Sequence, residues 1–235
     1  MKVLVIIPAY NEEANIDRVV RNITVNHSEY DYVVINDGSS DETQSICIRQ
    51  GYNHINLPLN LGIGGAVQTG YAYANQHNYE ITIQMDGDGQ HDPMYITNLI
   101  RPIIDGNADM VIGSRFLEKE GFQTSVMRRF GIKILRIIIW ICCGYRVSDA
   151  TSGFRASSKR LTNFFCNNYA HDYPEPEAIV SAVLNGYSVI EVPVKMNERR
   201  AGVSSINGLK SAHYMLKVAL SLFFTRMGLR RKKHD

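Results

Sequence analysis

Residues 81–93 read ITIQMDGDGQHDP. The apolar, β-branched start predicts a strand over Ile81–Met85. Asp86, Asp88 and Asp92 then fall within seven positions, with Gly87 and Gly89 between the first of them. Carboxylates packed this closely repel one another and call for a cation. Asp86, Asp88 and Gln90 alternate, and the glycines allow a tight turn, so their oxygens can converge on one divalent ion. Donors that are all oxygen suit Mg²⁺ or Mn²⁺ rather than zinc. His91 reads as a solvated side chain lining the turn, or as a further ligand if the ion is Mn²⁺. Asp92, just before Pro93, reads as a helix cap. An acidic surface turn would not need its carboxylates to follow directly on a buried strand.

Working outward, the same succession of strand and polar turn recurs. Apolar runs at Val3–Ile7, Tyr32–Ile35, Met110–Ile112 and Val189–Val194 predict strands, with a short one at His54–Leu57. Helical patterns lie between several of them: Glu12–Ile23 behind Asn11, Glu42–Arg49 behind Asp41, Ala66–Asn75, and Tyr95–Ile104 after Pro93. This alternation implies an α/β chain with a mostly parallel central sheet flanked by helices. Ligands of such sheets bind beyond the carboxyl ends of the strands. The polar motifs sit there: Pro8-Ala9-Tyr10-Asn11-Glu12, Asn36-Asp37-Gly38-Ser39-Ser40-Asp41, Asp86-Gly87-Asp88 and Gly113-Ser114-Arg115. Each alone is explained by a turn or a cap. Four on one sheet edge make a site. Leu61-Gly62-Ile63-Gly64-Gly65-Ala66 precedes a helix. It either lets the backbone approach a nucleotide or gives close helix packing, and it lacks the third glycine of a dinucleotide fingerprint, Val67 standing there.

The 235 residues are enough for one sizeable domain. Four cysteines show no metal-ligand spacing and read as reduced thiols. The formal charge of +2 is uneven: the last ten residues carry five Lys/Arg and one Asp, which leaves the rest at −2. No basic stripe with interleaved aromatics crosses the body, so no nucleic-acid partner is expected.

VIIPAYNEE, INDGSSDET, LNLGIGGAVQTGY, QMDGDGQHDP and DATSGFRA together resemble the family 2 glycosyltransferases of GT-A fold. The nearest branch is that of the dolichol-phosphate mannosyltransferases and bacterial polyprenyl-phosphate glycosyltransferases. The resemblance runs over roughly residues 1–205. It implies a Rossmann-like nucleotide-binding half joined to an acceptor half, within a catalytic domain over 1–208. It implies that Pro8, Tyr10, Glu12 and Asp37 contact the nucleotide, with Gly65 and Arg115 also on the donor side. Asp86, Asp88 and Gln90 would hold the metal at the donor diphosphate.

The second half would carry the acceptor. Asp149 in Ser148-Asp149-Ala150-Thr151-Ser152-Gly153-Phe154-Arg155 is open to two roles, base or sugar positioning, and Arg155 to holding a phosphate. Glu175 and Glu177, between Pro174, Pro176 and a helix at 178–185, are a second pair of candidates for the base. A lipid monophosphate is anionic near neutral pH, its second pKa being about 6, so it needs cations more than a base. Arg115, Arg128, Arg129, Arg155, Arg199 and Arg200 supply them, with Arg155 and Arg199 placed first. The loop 197–205 reads as mobile, and the resemblance implies a lid there.

A lipid acceptor requires membrane access. Ile132–Cys143 is compatible with a core helix and with membrane contact. The tail, 209–235, is apolar and then basic, and reads as an interfacial helix with a polybasic end. Many members of the branch carry transmembrane helices after the catalytic domain, whereas this sequence stops at Asp235. The expectation is therefore peripheral attachment to the cytoplasmic face of the membrane, through the surface itself, a small membrane subunit or a homo-oligomer. The expected reaction is inverting, Mg²⁺- or Mn²⁺-dependent transfer from a UDP-sugar to a polyprenyl phosphate. Transfer to a hydroxyl of a surface polysaccharide, and a non-catalytic scaffold, are the competing expectations. A sugar nucleotidyltransferase would need a Gly-rich loop with Arg and Lys after the first strand, where Tyr10-Asn11-Glu12-Glu13 stands instead.

Overall fold

The computed structural model describes residues 1–118, 126–197 and 217–227, with the side chains of 126–130 outside that description. One seven-stranded sheet organises it: β1 (Val3–Ala9), β2 (Asp31–Asn36), β3 (His54–Asn56), β4 (Ile81–Gln84), β5 (Met110–Ser114), β6 (Arg155–Ser158) and β7 (Val189–Pro193). The spatial order is β3-β2-β1-β4-β6-β5-β7. All pairings are parallel except those of β6, which runs antiparallel to both β4 and β5. The five longer expected strands and the short one are present. β6 is the addition: Arg-Ala-Ser-Ser has no apolar run or alternation to announce it. Its direction matters. An antiparallel strand begins at the edge where its parallel neighbours end, so the loop before β6 is delivered to the carboxyl ends of β4 and β5.

The strands β1, β4 and β5 are buried on both faces, as helices on both sides require. Alternate residues of β1 enter two cores. Leu4 and Ile6 pack with α3 (Gly62–Gln76), α5 (Val126–Cys143), α6 (Lys159–Asn168) and α7 (Pro174–Leu184). Val3, Val5 and Ile7 pack with α1 (Ile16–Asn26), α2 (Thr43–Gln50) and α4 (Ile96–Ile104). The eighth helix, α8 (217–227), places Val218 and Leu222 in the first of these cores.

Helices α5 and α7 begin earlier than expected, at Val126 and Pro174, and three further boundaries differ from the sequence expectation, each for a local reason. α1 starts at Ile16 rather than Glu12, because Asn11 adopts a left-handed backbone (φ 56°) and the Glu12 carbonyl accepts from Asn15 and Ile16. α3 begins four residues early, at Gly62, so the glycine run is helical. There it serves packing. A Cβ on Gly64 would lie 2.2 Å from the Ala170 carbonyl oxygen, and one on Gly70 2.3 Å from the Ile6 side chain. Pro93 opens a single 3₁₀ turn capped by Asp92, whose carboxylate accepts from Met94 N–H.

Candidate active site

Two loops at the ends of β1 and β2 are laced together. Asn11 N–H donates to Ser39 Oγ and Asn11 Oδ1 accepts from Ser40 N–H. Glu13 N–H donates to Asp41, and Glu42 N–H returns to Glu13. Glu12 is buried, its backbone N–H on Thr43 Oγ1 and its carboxylate accepting from Asn15 Nδ2. Asp37 is also buried, and its Oδ1 accepts from Leu61 N–H at 2.7 Å, which binds the β2 end to the loop before α3. Gly38 makes that approach possible. It has φ +65°, and a Cβ there would stand 2.7 Å from the backbone of Leu59 and Asn60. Tyr10 projects into solvent beside this framework. Gly65 is buried against Leu61.

The acidic turn closes one strand further along. The Pro8 carbonyl accepts from Gly87 N–H, and Asp88, 9% exposed, accepts from Gln90 N–H at 2.9 Å. Gln90 donates its side-chain amide to the Asn197 carbonyl and accepts Asn197 N–H on its own. The turn is thereby joined to the stretch leaving β7. His91 is not a solvated side chain. It is buried and stacks on Phe154 at 4.8 Å and 9°. Its Nδ1 accepts from Asp86 N–H at 3.0 Å, and its Nε2 lies 3.8 Å from Asp86 Oδ2. Burial pushes its pKa down to about 4, against the opposing pull of Asp88. It is therefore neutral, with its proton on Nε2, and it holds the turn closed.

The loop preceding β6 reaches Asp86. A Cβ on Gly153 would come within 2.9 and 3.0 Å of the two Asp86 oxygens and 3.1 Å of Gln84 Nε2. Glycine is thus required where the loop meets the carboxylate. Gln84 links the same carboxylate to Tyr169, donating to Asp86 Oδ1 at 3.4 Å and accepting from the Tyr169 hydroxyl at 3.3 Å.

Asp149 is fully buried and forms a two-pronged pair with Arg115: Nε to Oδ2 at 2.6 Å and Nη2 to Oδ1 at 2.7 Å. Arg115 also donates to Thr151 Oγ1. Beneath them, Glu191 of β7 accepts the backbone N–H groups of Ser148 and Asp149 at 2.6 and 2.8 Å. Both carboxylate oxygens of Asp149 are thus engaged by the Arg115 guanidinium. Arg155, expected to reach a phosphate, is only 2% exposed. Its Nε donates to the Ser152 carbonyl and its Nη1 to the Glu175 carbonyl, both at 2.7 Å. Its Nη2 has no hydrogen-bond partner among the described residues. Arg155 therefore braces the loop against the first turn of α7, where Glu175 is half-buried. Glu177, one helical step on, accepts from Ser221 of α8 at 2.7 Å, and burial raises its pKa. Arg199, Arg200 and the 198–205 part of the expected lid lie outside the described residues, as do the side chains of Arg128 and Arg129.

The structure thus gathers Pro8, Tyr10, Glu12, Asp37, Asp86, Asp88, Gln90, Arg115, Asp149 and Glu175 at one sheet edge. The residues that sequence reasoning missed are the ones beneath them. Glu191 carried a signal, being a lone carboxylate inside the apolar strand VIEVP. Gly153 and Gln84 carried none.

The glycosyl transferase family 2 profile matches residues 4–164. The chain belongs to that family. It is a glycosyltransferase, and its fold is the family's GT-A fold. It is 33% identical over 213 residues to the UDP-N-acetylglucosamine–dolichyl-phosphate N-acetylglucosaminyltransferase of Methanococcus voltae, covering 82% of this chain and 84% of that one. It is 28% identical over 231 residues to the polyprenol monophosphomannose synthase of Mycolicibacterium smegmatis, covering 93% and 86%. Among solved structures it resembles glucosyl-3-phosphoglycerate synthase of Mycobacterium tuberculosis in complex with Mn²⁺, UDP-glucose and phosphoglyceric acid. That match has a TM-score of 0.70 at 19% identity over 97% of this chain and 80% of the other, and it speaks for the fold alone.

Proposed function

We propose that this family 2 glycosyltransferase moves a sugar from a UDP-sugar to a polyprenyl phosphate at a membrane surface, with inversion at the sugar carbon. One observation carries the reading. Two oxygen-donor carboxylates stand at the carboxyl end of β4, in a chain similar over most of its length to enzymes named for dolichyl-phosphate and polyprenol substrates.

The residues fit a hard divalent ion. Asp86, Asp88 and the Gln90 carbonyl offer oxygen only, and the Gln90 amide nitrogen is already turned to Asn197. Among the described residues no three His, Cys, Asp or Glu side chains stand together where they could hold an ion, so the ion would rest on Asp86, Asp88 and Gln90 and be completed by substrate phosphates, as Mg²⁺ is when bound through one or two carboxylates. When bound, the ion supplies positive charge to the diphosphate as the bond to the sugar breaks. The protein does the rest. Asp37, with Oδ1 on Leu61 N–H, would turn Oδ2 to the base or ribose, and Tyr10 offers an exposed ring. His91 and Gly153 fix Asp86 from two sides. The Arg115–Asp149 pair, supported by Glu191, sets the loop that separates donor from acceptor, and Arg155 positions that loop against α7.

A phosphate acceptor also accords with the proton chemistry. Its oxygen attacks the sugar carbon while the bond to the diphosphate breaks and the electron pair leaves with it. The nucleophile is already ionised near pH 7, so Asp149 need not accept a proton and Arg199 is the first candidate to hold the acceptor phosphate. A hydroxyl acceptor would need a base, for which Glu175 is the candidate.

Membrane access has a physical basis. Among the described residues no helix is long and apolar enough to cross a membrane. α8 instead shows two apolar faces. Val218 and Leu222 are in the core, while Leu220, Phe223, Phe224 and Met227 form an exposed stripe at helical spacing. α5 does the same, burying Ile132, Leu135, Ile139 and Cys142 and exposing Ile137, Trp140 and Ile141. Arg226 donates to the Ile141 carbonyl and ties the two helices together. Exposed apolar stripes of this kind mark an interaction surface. The reading is tested by incubating the protein with Mn²⁺, labelled UDP-sugars and a short-chain prenyl phosphate. Label should appear in a phosphate-linked prenyl product. Label found only on the hydroxyls of a polysaccharide added to the same mixture would overturn the acceptor.

A further inference from the structure

The outer face of α5 carries a feature that sugar transfer does not use. A groove of about 440 Å³ is lined by Lys133, Arg136, Ile137, Trp140, Arg146 and Val147. Three of its six lining residues are cations, all exposed. Among the described residues none of the three forms a salt bridge with a carboxylate. Surface cations ordinarily sit near acids, and the described part of this chain supplies such partners elsewhere, as at Arg160–Asp109 and Arg21–Asp17. Two of the three are held in place. Arg136 Nε donates to the Val147 carbonyl at 2.8 Å, and the Arg146 guanidinium lies over the Trp140 ring at 5.7 Å.

We propose that this groove binds the phosphodiester headgroup of an anionic bilayer lipid. The proposal rests on the membrane reading above and goes beyond it by naming the lipid chemistry and the residues. Three arguments carry it. The charge is complementary, with three cations and no acid in the lining. The depth is right: Trp140 is 48% exposed next to Ile137 and Ile141, and an indole with one wet and one apolar edge settles at headgroup level. The groove also lies on the outer face of α5, opposite Ile132, Leu135 and Ile139, which pack into the core. Its occupant is a bulk lipid that orients the enzyme on the bilayer, not the acceptor that receives sugar, and the KM readout below separates the two.

The test uses the full chain and sedimentation with vesicles of phosphatidylcholine alone, or with about a third of the lipid replaced by phosphatidylglycerol. A double variant, Lys133→Gln with Arg146→Gln, is compared with Phe223→Ser/Phe224→Ser, each checked by thermal melting. At about fivefold per cation near a charged surface, the double Gln variant should bind the phosphatidylglycerol vesicles about 25-fold more weakly. Its binding to phosphatidylcholine vesicles and its KM for a short-chain prenyl phosphate in detergent should not change. The Phe variant should lose binding to both vesicle types. Equal loss of the double Gln variant on both vesicles, or no loss on either, overturns the headgroup site while the membrane reading stands. A raised KM assigns the groove to the acceptor and overturns it also. Failure of the unaltered protein to bind either vesicle overturns the membrane reading and the site with it.

Discussion

Gly153→Ala adds one methyl group at the point where the acceptor-side loop meets the donor-side carboxylate. The new Cβ would stand 2.9 and 3.0 Å from the Asp86 oxygens. Ordinary contact begins at 3.4 Å, so one side must retreat by about half an ångström. The loop cannot yield easily: Phe154 is pinned under His91, and Arg155 is bonded to Ser152 and Glu175. Asp86 is therefore the part that moves, and it pulls against Gln84 and His91. Catalytic groups tolerate displacements of about 0.5 Å, and disturbing the support of a metal ligand costs roughly 10–100-fold in affinity or activity. The expected outcome is a fall of about that size in kcat/KM for sugar transfer, with the Mn²⁺ concentration for half-maximal rate moved upward. Overpacking costs about 1–3 kcal/mol, so the variant melts lower but is folded at 25 °C. Rate against Mn²⁺ concentration, measured beside a melting curve, checks this. A variant with wild-type Mn²⁺ dependence would refute the claim that Gly153 exists to make room for Asp86.

Two further outcomes follow from buried charge. Arg115→Met leaves the Asp149 carboxylate buried without its main cation and should cost about 3–5 kcal/mol in urea unfolding. Adding Asp149→Leu should recover much of that loss, and no recovery would contradict the pairing. Glu177 has its pKa raised, first by burial, above the usual 4.5. A raised carboxyl pKa favours the protonated native state, so its contribution is fully present below the unfolded value and lost as pH rises through the folded one. Glu177→Gln should therefore raise the melting temperature at neutral pH and leave it unchanged in acid. An unchanged difference across that range would contradict the burial argument.

The parallel part of the fold was legible because its strands are continuous apolar runs, each ending in a polar turn. The gathering of the polar turns at one edge followed, since parallel strands all end on the same side. β6 was hidden, because Arg155-Ala156-Ser157-Ser158 is made a strand by its neighbours β4 and β5 rather than by its own residues. With it went the reason that Gly153 meets Asp86. The place of Arg155 was hidden for a related cause. It reads as part of a polar loop, and only the register opposite Gln84 and Ile112 shows that it lies inside the sheet. His91 looked solvated because periodicity does not show that Phe154 comes to lie across it. The tail read as one amphipathic surface, whereas α8 uses one apolar face for the core and leaves the other outside.

The central claim is that the turn after β4 holds a divalent ion for the donor diphosphate. Titration of UDP into the protein with and without Mn²⁺, for the unaltered chain and for Asp88→Asn, tests it most directly. The account predicts Mn²⁺-enhanced UDP binding that Asp88→Asn abolishes while its melting temperature is kept. Equal Mn²⁺ enhancement in both proteins would contradict it.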